Sequence, residues 1–240
     1  MPPPTRAVNS LKNSLNYRVL QMLDRVLEPE VMNDRQEAIE YDSMDHAAVN
    51  SRFVEDLIAA GPIGEDCLDL GTGTALIPIE LCQQDRSVRV MASDASTMML
   101  DLARYNLEVQ GLMHRVQLQF VDAKKLIFQV SYFDTVMSNS LVHHLPTHET
   151  FLPEALRVLR TGGLLFVRDL CRPDSLEQVD SIVLQYAVNE IESAREMLRQ
   201  SLKAALTLEE IGQLAVAAGL DSNCVAMTSD RHWTLMARKQ

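Results

Sequence analysis

The stretch Cys67-Leu68-Asp69-Leu70-Gly71-Thr72-Gly73-Thr74-Ala75-Leu76 decides the reading of this chain. A short apolar run breaks at two glycines and resumes at helical spacing through Leu76, Ile77, Ile79 and Leu81, the pattern of a strand, a tight loop and a helix. Glycine reaches backbone angles that other residues avoid and has no Cβ to hold a ligand away, while the helix beyond points its first N–H groups at the same spot. A ligand can therefore lie against bare backbone at the tip of a strand.

Two ligand classes use such a loop. A dinucleotide fingerprint reads G-x-G-x-x-G, but the third glycine position is Leu76 here, so that fingerprint is incomplete. The other class is a nucleoside-linked methyl donor. The loop alone leaves both open, so the decision falls to the rest of the chain.

The 240 residues suffice for one α/β unit with additions. With 33 acidic against 22 basic side chains, the net charge of −11 disfavours nucleic acid as a partner. The start, Met1 to Arg6, lacks the basic and apolar regions of a leader, and no apolar run approaches membrane-spanning length, which predicts a cytoplasmic protein without a membrane span, a monomer or homodimer. Cys67, Cys82, Cys171 and Cys224 are too scattered for a zinc or disulfide framework.

From Cys67 onward strands and helices alternate, with strands at Cys67–Leu70, Val88–Ser93, Val116–Val121, Asp134–Ser138 and Leu164–Asp169. Parallel pairing with right-handed crossovers follows, hence a doubly wound α/β sheet. Residues 1–60 are expected to form a helical cover, with one helix carrying Leu11 to Leu27, a polar link over Glu37–His46 and a second helix through Phe53 and Leu57. The core takes residues 61–173. A helical insertion over 174–206, capped by Asp174 and Glu177, is expected to be the substrate lid, and residues 207–240 supply a Thr207/Glu210-capped helix and an antiparallel hairpin.

Ligands of an open parallel sheet bind outside the carboxyl ends of its strands. Those ends carry Gly71 and Gly73, Asp94, Asp122, Asn139 and Asp169. Asp94 lies 21 residues after Gly73, where a carboxylate suits a ribose diol, and an acid at Asp122 favours an adenine amino group and so the methyl donor.

With Asp69-Leu70-Gly71-Thr72-Gly73-Thr74, Asp94-Ala95-Ser96-Thr97-Met98-Met99, Asp122-Ala123, Phe133 to Asn139 and Arg160-Thr161-Gly162-Gly163, the chain resembles the class I S-adenosylmethionine-dependent methyltransferases over about residues 60 to 170. It is most similar to their small-molecule branch, including the quinone-biosynthesis C-methyltransferases. The resemblance implies a seven-stranded Rossmann-like sheet with S-adenosylmethionine as cofactor. It implies that Asp69 and Thr72 shape the loop, that Gly71 and Gly73 pass under the methionine part and that Asp94 binds ribose. Ala95 and Met99 would flank adenine, Asp122 and Ala123 would read its edge, and Asn139 would sit near the methionine or the acceptor. Tyr41, in a Tyr-Asp pair like that upstream of the first motif in the quinone enzymes, would cover the cofactor.

The flanks carry no substrate signature. The expected reaction is methyl transfer to a small-molecule acceptor, and the alternative is a noncatalytic S-adenosylmethionine-binding module acting through a protein partner. His144, Arg168, Asp169 and Tyr186 are the candidates for work on the acceptor, with Tyr186 and Glu190 sharing a helical face toward the cavity. No third ligand follows the His143-His144 pair at metal spacing, so no metal is expected. The absence of Asn/Asp-Pro-Pro-Tyr after the fourth strand, where Asn139-Ser140-Leu141-Val142 stands, sets aside planar-amide nitrogen methylation.

Overall fold

The computed structural model describes residues 23–31, 34–44 and 47–240. Short runs with apolar residues facing the core build β1 (Asp66–Leu70), β2 (Arg89–Asp94), β3 (Val116–Phe120), β4 (Phe133–Asn139), β5 (Leu159–Leu170), β6 (Val225–Met227) and β7 (His232–Arg238). They form one sheet of order β3-β2-β1-β4-β5-β7-β6, parallel from β1 to β5, with β7 antiparallel between β5 and β6. This is the doubly wound, mostly parallel, seven-stranded architecture that the sequence predicts. The strand order switches at β1, which lies between β2 and β4, and the crevice at their carboxyl ends is where such a sheet binds ligands.

Eight helices are described: α1 (Arg35–Ser43), α2 (Ala47–Ala59), α3 (Leu76–Gln84), α4 (Thr97–Val109), α5 (Phe151–Val158), α6 (Leu176–Tyr186), α7 (Glu192–Ala204) and α8 (Leu208–Ala217). Phe53, Leu57, Leu81 and Leu107 fill the core on one face of the sheet. Leu152, Ile211 and Trp233 fill it on the other. The predicted Thr207/Glu210 capping box starts α8. No described helix is long and apolar enough to cross a membrane.

The flanks depart from the sequence reading at the strap, at the link and in the insertion. The helix expected to run to Leu27 does not include Leu23–Leu27, which are non-helical; its earlier residues lie outside the described ones. The Val26 N–H donates to the Lys203 carbonyl at 3.1 Å, so this segment is a strap tied to α7. The link read over Glu37–His46 is instead helix α1 through Ser43, because Ala38 buries against its surroundings; Asp45 and His46 lie outside the described residues.

The insertion is not one helix but two. It breaks after Tyr186, and the Arg195 side chain donates to the freed carbonyls of Ala187 and Val188 at 3.0 and 2.6 Å, which supplies the partners that the interrupted helix lacks. Its N-cap is Ser175, whose hydroxyl accepts the Gln178 N–H, rather than Asp174. In the core, α5 ends at Val158, because Leu159 already pairs with Phe133 in the sheet.

Candidate functional site

The loop after β1 is held in an unusual backbone path. Gly71 and Gly73 have φ of 70° and 55°, and Ala75, capping α3, has φ of 64°. A Cβ at Gly71 would stand 2.7 Å from Leu141 Cδ1, so glycine is required there by space as well as by torsion. The Thr72 N–H reaches the Ser93 carbonyl at 2.9 Å and fixes the loop to β2. The Thr74 hydroxyl oxygen is buried and has no hydrogen-bond partner although the residue lines the cavity. A bare glycine cradle beside an orphaned hydroxyl is what a polar ligand would complete.

Two buried carboxylates support this cradle. Asp69 is 2% exposed, and burial pushes its carboxyl up to about 7. Asp94 accepts the Gly73 N–H through Oδ2 and the Ser96 N–H through Oδ1, both at 2.8 Å, and burial raises it above the ordinary carboxylate value. One side chain thus joins the glycine loop to the start of α4, whose N-cap is Ser96. Ala95, Met99, Asp122, Ala123 and Asn139 line the same cavity of about 380 Å³. Asp122 is also the partner of Lys124 at 3.1 Å, and Lys124 pairs in turn with Glu30 of the strap.

Tyr41 lies over the loop, its Cε1 3.9 Å from where a Gly73 Cβ would stand. Its neighbour Asp42 binds Asn106 Nδ2 at 3.0 Å, and the same amide donates to the Thr74 carbonyl at 3.1 Å. So α1 is latched across the loop through α4, and every sequence-predicted cofactor residue stands at this end of the cavity.

The opposite end is built from distant segments. A single 3₁₀ turn over Val142–His144 follows β4, and Asp169 at the end of β5 holds it: Oδ2 accepts the Val142 N–H at 2.6 Å, and Oδ1 bonds His143 Nδ1 at 2.5 Å. Burial alone would raise Asp169, but the charge and hydrogen bond of His143 win and hold it below the ordinary carboxylate value. Burial opposes charging of His143, and Asp169 overcomes this and raises it. His144, which also lines the cavity, is pushed down to about 3 by burial and by the neighbouring His143, so its ring is neutral.

Asp169 is fully buried and acts through His143, so it positions the wall rather than forming it. Arg168 is absent from the wall as well. It is buried between Thr234 Oγ1 at 2.9 Å and Asp56 Oδ2 at 2.8 Å, over the rings of Phe53 and Phe166, where it pins α2 to the sheet. Arg172 likewise binds the Ala205 carbonyl and Glu210. Strand alternation sends the Arg168 guanidinium away from the crevice, so the sequence reading of Arg168 as an acceptor contact is corrected.

Tyr186 and Glu190 both line the cavity, though Glu190 stands beyond the end of α6 and not one turn along it. The Tyr186 hydroxyl donates to Asp230 Oδ2 at 2.5 Å, and Arg231 lies over its ring at 3.3 Å.

Sequence reasoning missed three contributors. Glu28 and Arg25 come from the strap: Glu28 Oε1 lies 3.2 Å from ring nitrogens of both His143 and His144. Arg25 donates to the carbonyls of Ala204, His143 and Leu145 at 2.6, 3.0 and 3.1 Å. The sequence signal was the pair of carboxylates around Pro29 in Leu27-Glu28-Pro29-Glu30, polar where an apolar helix was expected to end. Arg231 arrives from the hairpin turn.

Residues 68–167 match the protein family described as "Methyltransferase domain". The chain is 28% identical over 122 residues to methyltransferase GfsG of Streptomyces halstedii, covering 51% of this chain and 44% of that protein. It is 28% identical over 111 residues to the ubiquinone/menaquinone biosynthesis C-methyltransferase UbiE of Francisella tularensis subsp. novicida, covering 46% and 44%. The matched region thus spans less than half the length of these curated relatives. Among solved structures, a SAM-dependent methyltransferase from Aquifex aeolicus superposes with a TM-score of 0.66 at 17% identity over 86% of this chain and 98% of that one, which shows a shared fold. Fold, glycine cradle and domain match agree on a methyltransferase domain over residues 68–167, of the class I type that takes S-adenosylmethionine as cofactor.

Proposed function

We propose that the protein transfers a methyl group from S-adenosylmethionine to a small-molecule acceptor bound between the strap, the 3₁₀ turn and the α6–α7 pair. The observation that carries this reading is the cavity itself: one chamber joins the glycine cradle to a wall of ionisable and aromatic side chains, His144, Tyr186 and Glu190 among them. A chamber covered on the far side by added elements suits a compact acceptor, and the acidic surface argues against a phosphate backbone.

When bound, the cofactor supplies an electrophilic sulfonium methyl group. The chain's own residues do the rest. Gly71 and Gly73 give it room, Thr74 offers a buried hydroxyl, and Asp94 offers carboxylate lone pairs to a ribose diol. Tyr41 covers the glycine loop on the near side, where an aromatic ring helps to keep water from the reaction axis. At the other end the neutral His144 ring lines the space for the acceptor, and orientation of the acceptor against the methyl group supplies the larger part of the rate.

The test pairs calorimetry with S-adenosylhomocysteine and incubation of the protein with isotope-labelled methyl donor and a host metabolite extract. Binding together with label in a low-mass product is expected. Binding with no labelled product from any fraction would favour a cofactor-binding module that works through a protein partner, and no binding would end both readings.

A further inference from the structure

Glu28 reaches the two histidines from the far N-terminal side of the chain, and the three side chains meet at one point. Glu28 Oε1 lies 3.2 Å from His143 Nε2 and 3.2 Å from His144 Nδ1, and the three atoms all fall within 4.8 Å of one another. The Glu28 side chain is only 8% exposed. Its Oε2 accepts the Ser201 hydroxyl at 3.2 Å, but Oε1 is buried without a hydrogen-bond partner, and so is His144 Nδ1. Buried acceptors left unsatisfied in this way are costly and call for a missing partner.

The surrounding bonds fix which atoms face the gap. Asp169 already accepts backbone N–H groups of Val142 and Leu170 and bonds His143 Nδ1, so Nε2 is the His143 nitrogen that faces Glu28. The Pro29 carbonyl accepts from the His144 ring, while Nδ1 is the nitrogen that faces Glu28. Three potential ligand atoms from three side chains thus converge on one point, an arrangement that a cation can bridge.

We propose that Glu28, His143 and His144 bind a divalent first-row transition-metal ion of the zinc type, with an open coordination position facing the cavity. Two imidazole nitrogens and one carboxylate oxygen suit zinc, cobalt or nickel rather than magnesium or calcium. Ligands at zinc-like bond lengths around a tetrahedral ion stand about 3.3 Å apart, close to the two separations observed. Asp169 supplies the outer carboxylate that orients a metal-bound imidazole. Arg25 holds the strap that carries Glu28 against the turn that carries the histidines. All three ligands line the cavity, so the open position takes an acceptor with an ionisable oxygen, nitrogen or sulfur donor. That last step rests on the proposed methyl transfer; the metal site does not.

The experiment uses the full chain, stripped with a chelator and titrated with cobalt(II), read by visible absorption and calorimetry, with S-adenosylhomocysteine affinity measured alongside. One cobalt per chain with intense d–d bands, displaced by zinc, is expected. Glu28→Gln and His144→Ala should each weaken cobalt binding by at least about tenfold and leave S-adenosylhomocysteine affinity unchanged. X-ray absorption on the cobalt-loaded wild type should show imidazole scattering, a readout independent of whether a variant folds. Absence of stoichiometric binding, a shell without imidazole, or wild-type affinity in both folded variants overturns the site. Cobalt binding needs no turnover, so a failed metal site and a failed methyl transfer are told apart.

Discussion

The two ends of the cavity are made in opposite ways. The cofactor end is local: Gly71 to Thr74, Asp94 to Met99 and Asp122 to Ala123 each sit in one loop at one strand end, and the sheet register sets their spacing. The opposite end, where the acceptor is proposed to bind, is assembled from a strap at Arg25 to Glu30, a turn at Val142 to His144, the α6–α7 break and the hairpin turn at Arg231. The first is a property of the sheet and tolerates little change. The second depends on long-range contacts among added elements, which is where substrate choice can vary without loss of the fold.

If the cofactor end is as tightly built as this contrast requires, its electrostatics should register in global stability. Asp69 titrates near 7 in the folded chain against an ordinary value of 3.8, because burial disfavours its charge. The native state therefore holds that proton more tightly than the unfolded chain. The stability this gives is complete below about pH 4 and is lost as pH rises to about 7, a swing on the order of 4 kcal/mol. Urea unfolding of Asp69→Asn should lack this fall, and parallel profiles for variant and wild type would break the assignment.

A smaller effect comes from Gly71→Ala. The positive φ of 70° and the 2.7 Å approach to Leu141 Cδ1 should together cost about 1–3 kcal/mol and reduce S-adenosylhomocysteine affinity, because the loop must move off its path. Thermal unfolding and calorimetry check both. Asp94→Asn comes next. It keeps the size of the side chain but weakens the contact to Gly73, and a loss of about 1.5 kcal/mol, or roughly tenfold in cofactor affinity with little change in melting temperature, is expected.

What the sequence discloses follows the same division. Strand–loop–helix periodicity and glycine spacing name Gly71, Gly73, Asp94 and Asp122 because those residues act where the backbone puts them. The Thr207/Glu210 cap is legible for the same reason, as both partners lie within one turn. Arg168 was misread because a charge at a strand end says nothing of which face it leaves by, and Asp56 and Thr234 claim it from behind. The polar break around Pro29 marks Glu28 but not its role, because its partners stand 115 and 116 positions away in the chain and no local pattern links them. Even His143 and His144, adjacent in sequence, divide their roles only through Asp169, which takes one ring and not the other.

The finest test of the contrast addresses the α6–α7 break. Tyr186 and Glu190 line the chamber from opposite sides of the helix end, and the Tyr186 hydroxyl is committed to Asp230 while Arg231 covers its ring. Tyr186→Phe removes that hydroxyl and frees Asp230 to move with Arg231, and Glu190→Gln removes a charge from the wall without changing its shape. If this break sets acceptor choice, each change should alter acceptor kcat/KM by about fivefold or less, in line with one hydrogen bond, and the change should fall mainly on KM. S-adenosylhomocysteine affinity should stay at the wild-type value, since neither side chain belongs to the glycine cradle. An equal fall in cofactor affinity and acceptor turnover would mean that the two ends share one structural support, and wild-type kinetics in both variants would move the specificity wall to the strap and the histidine turn.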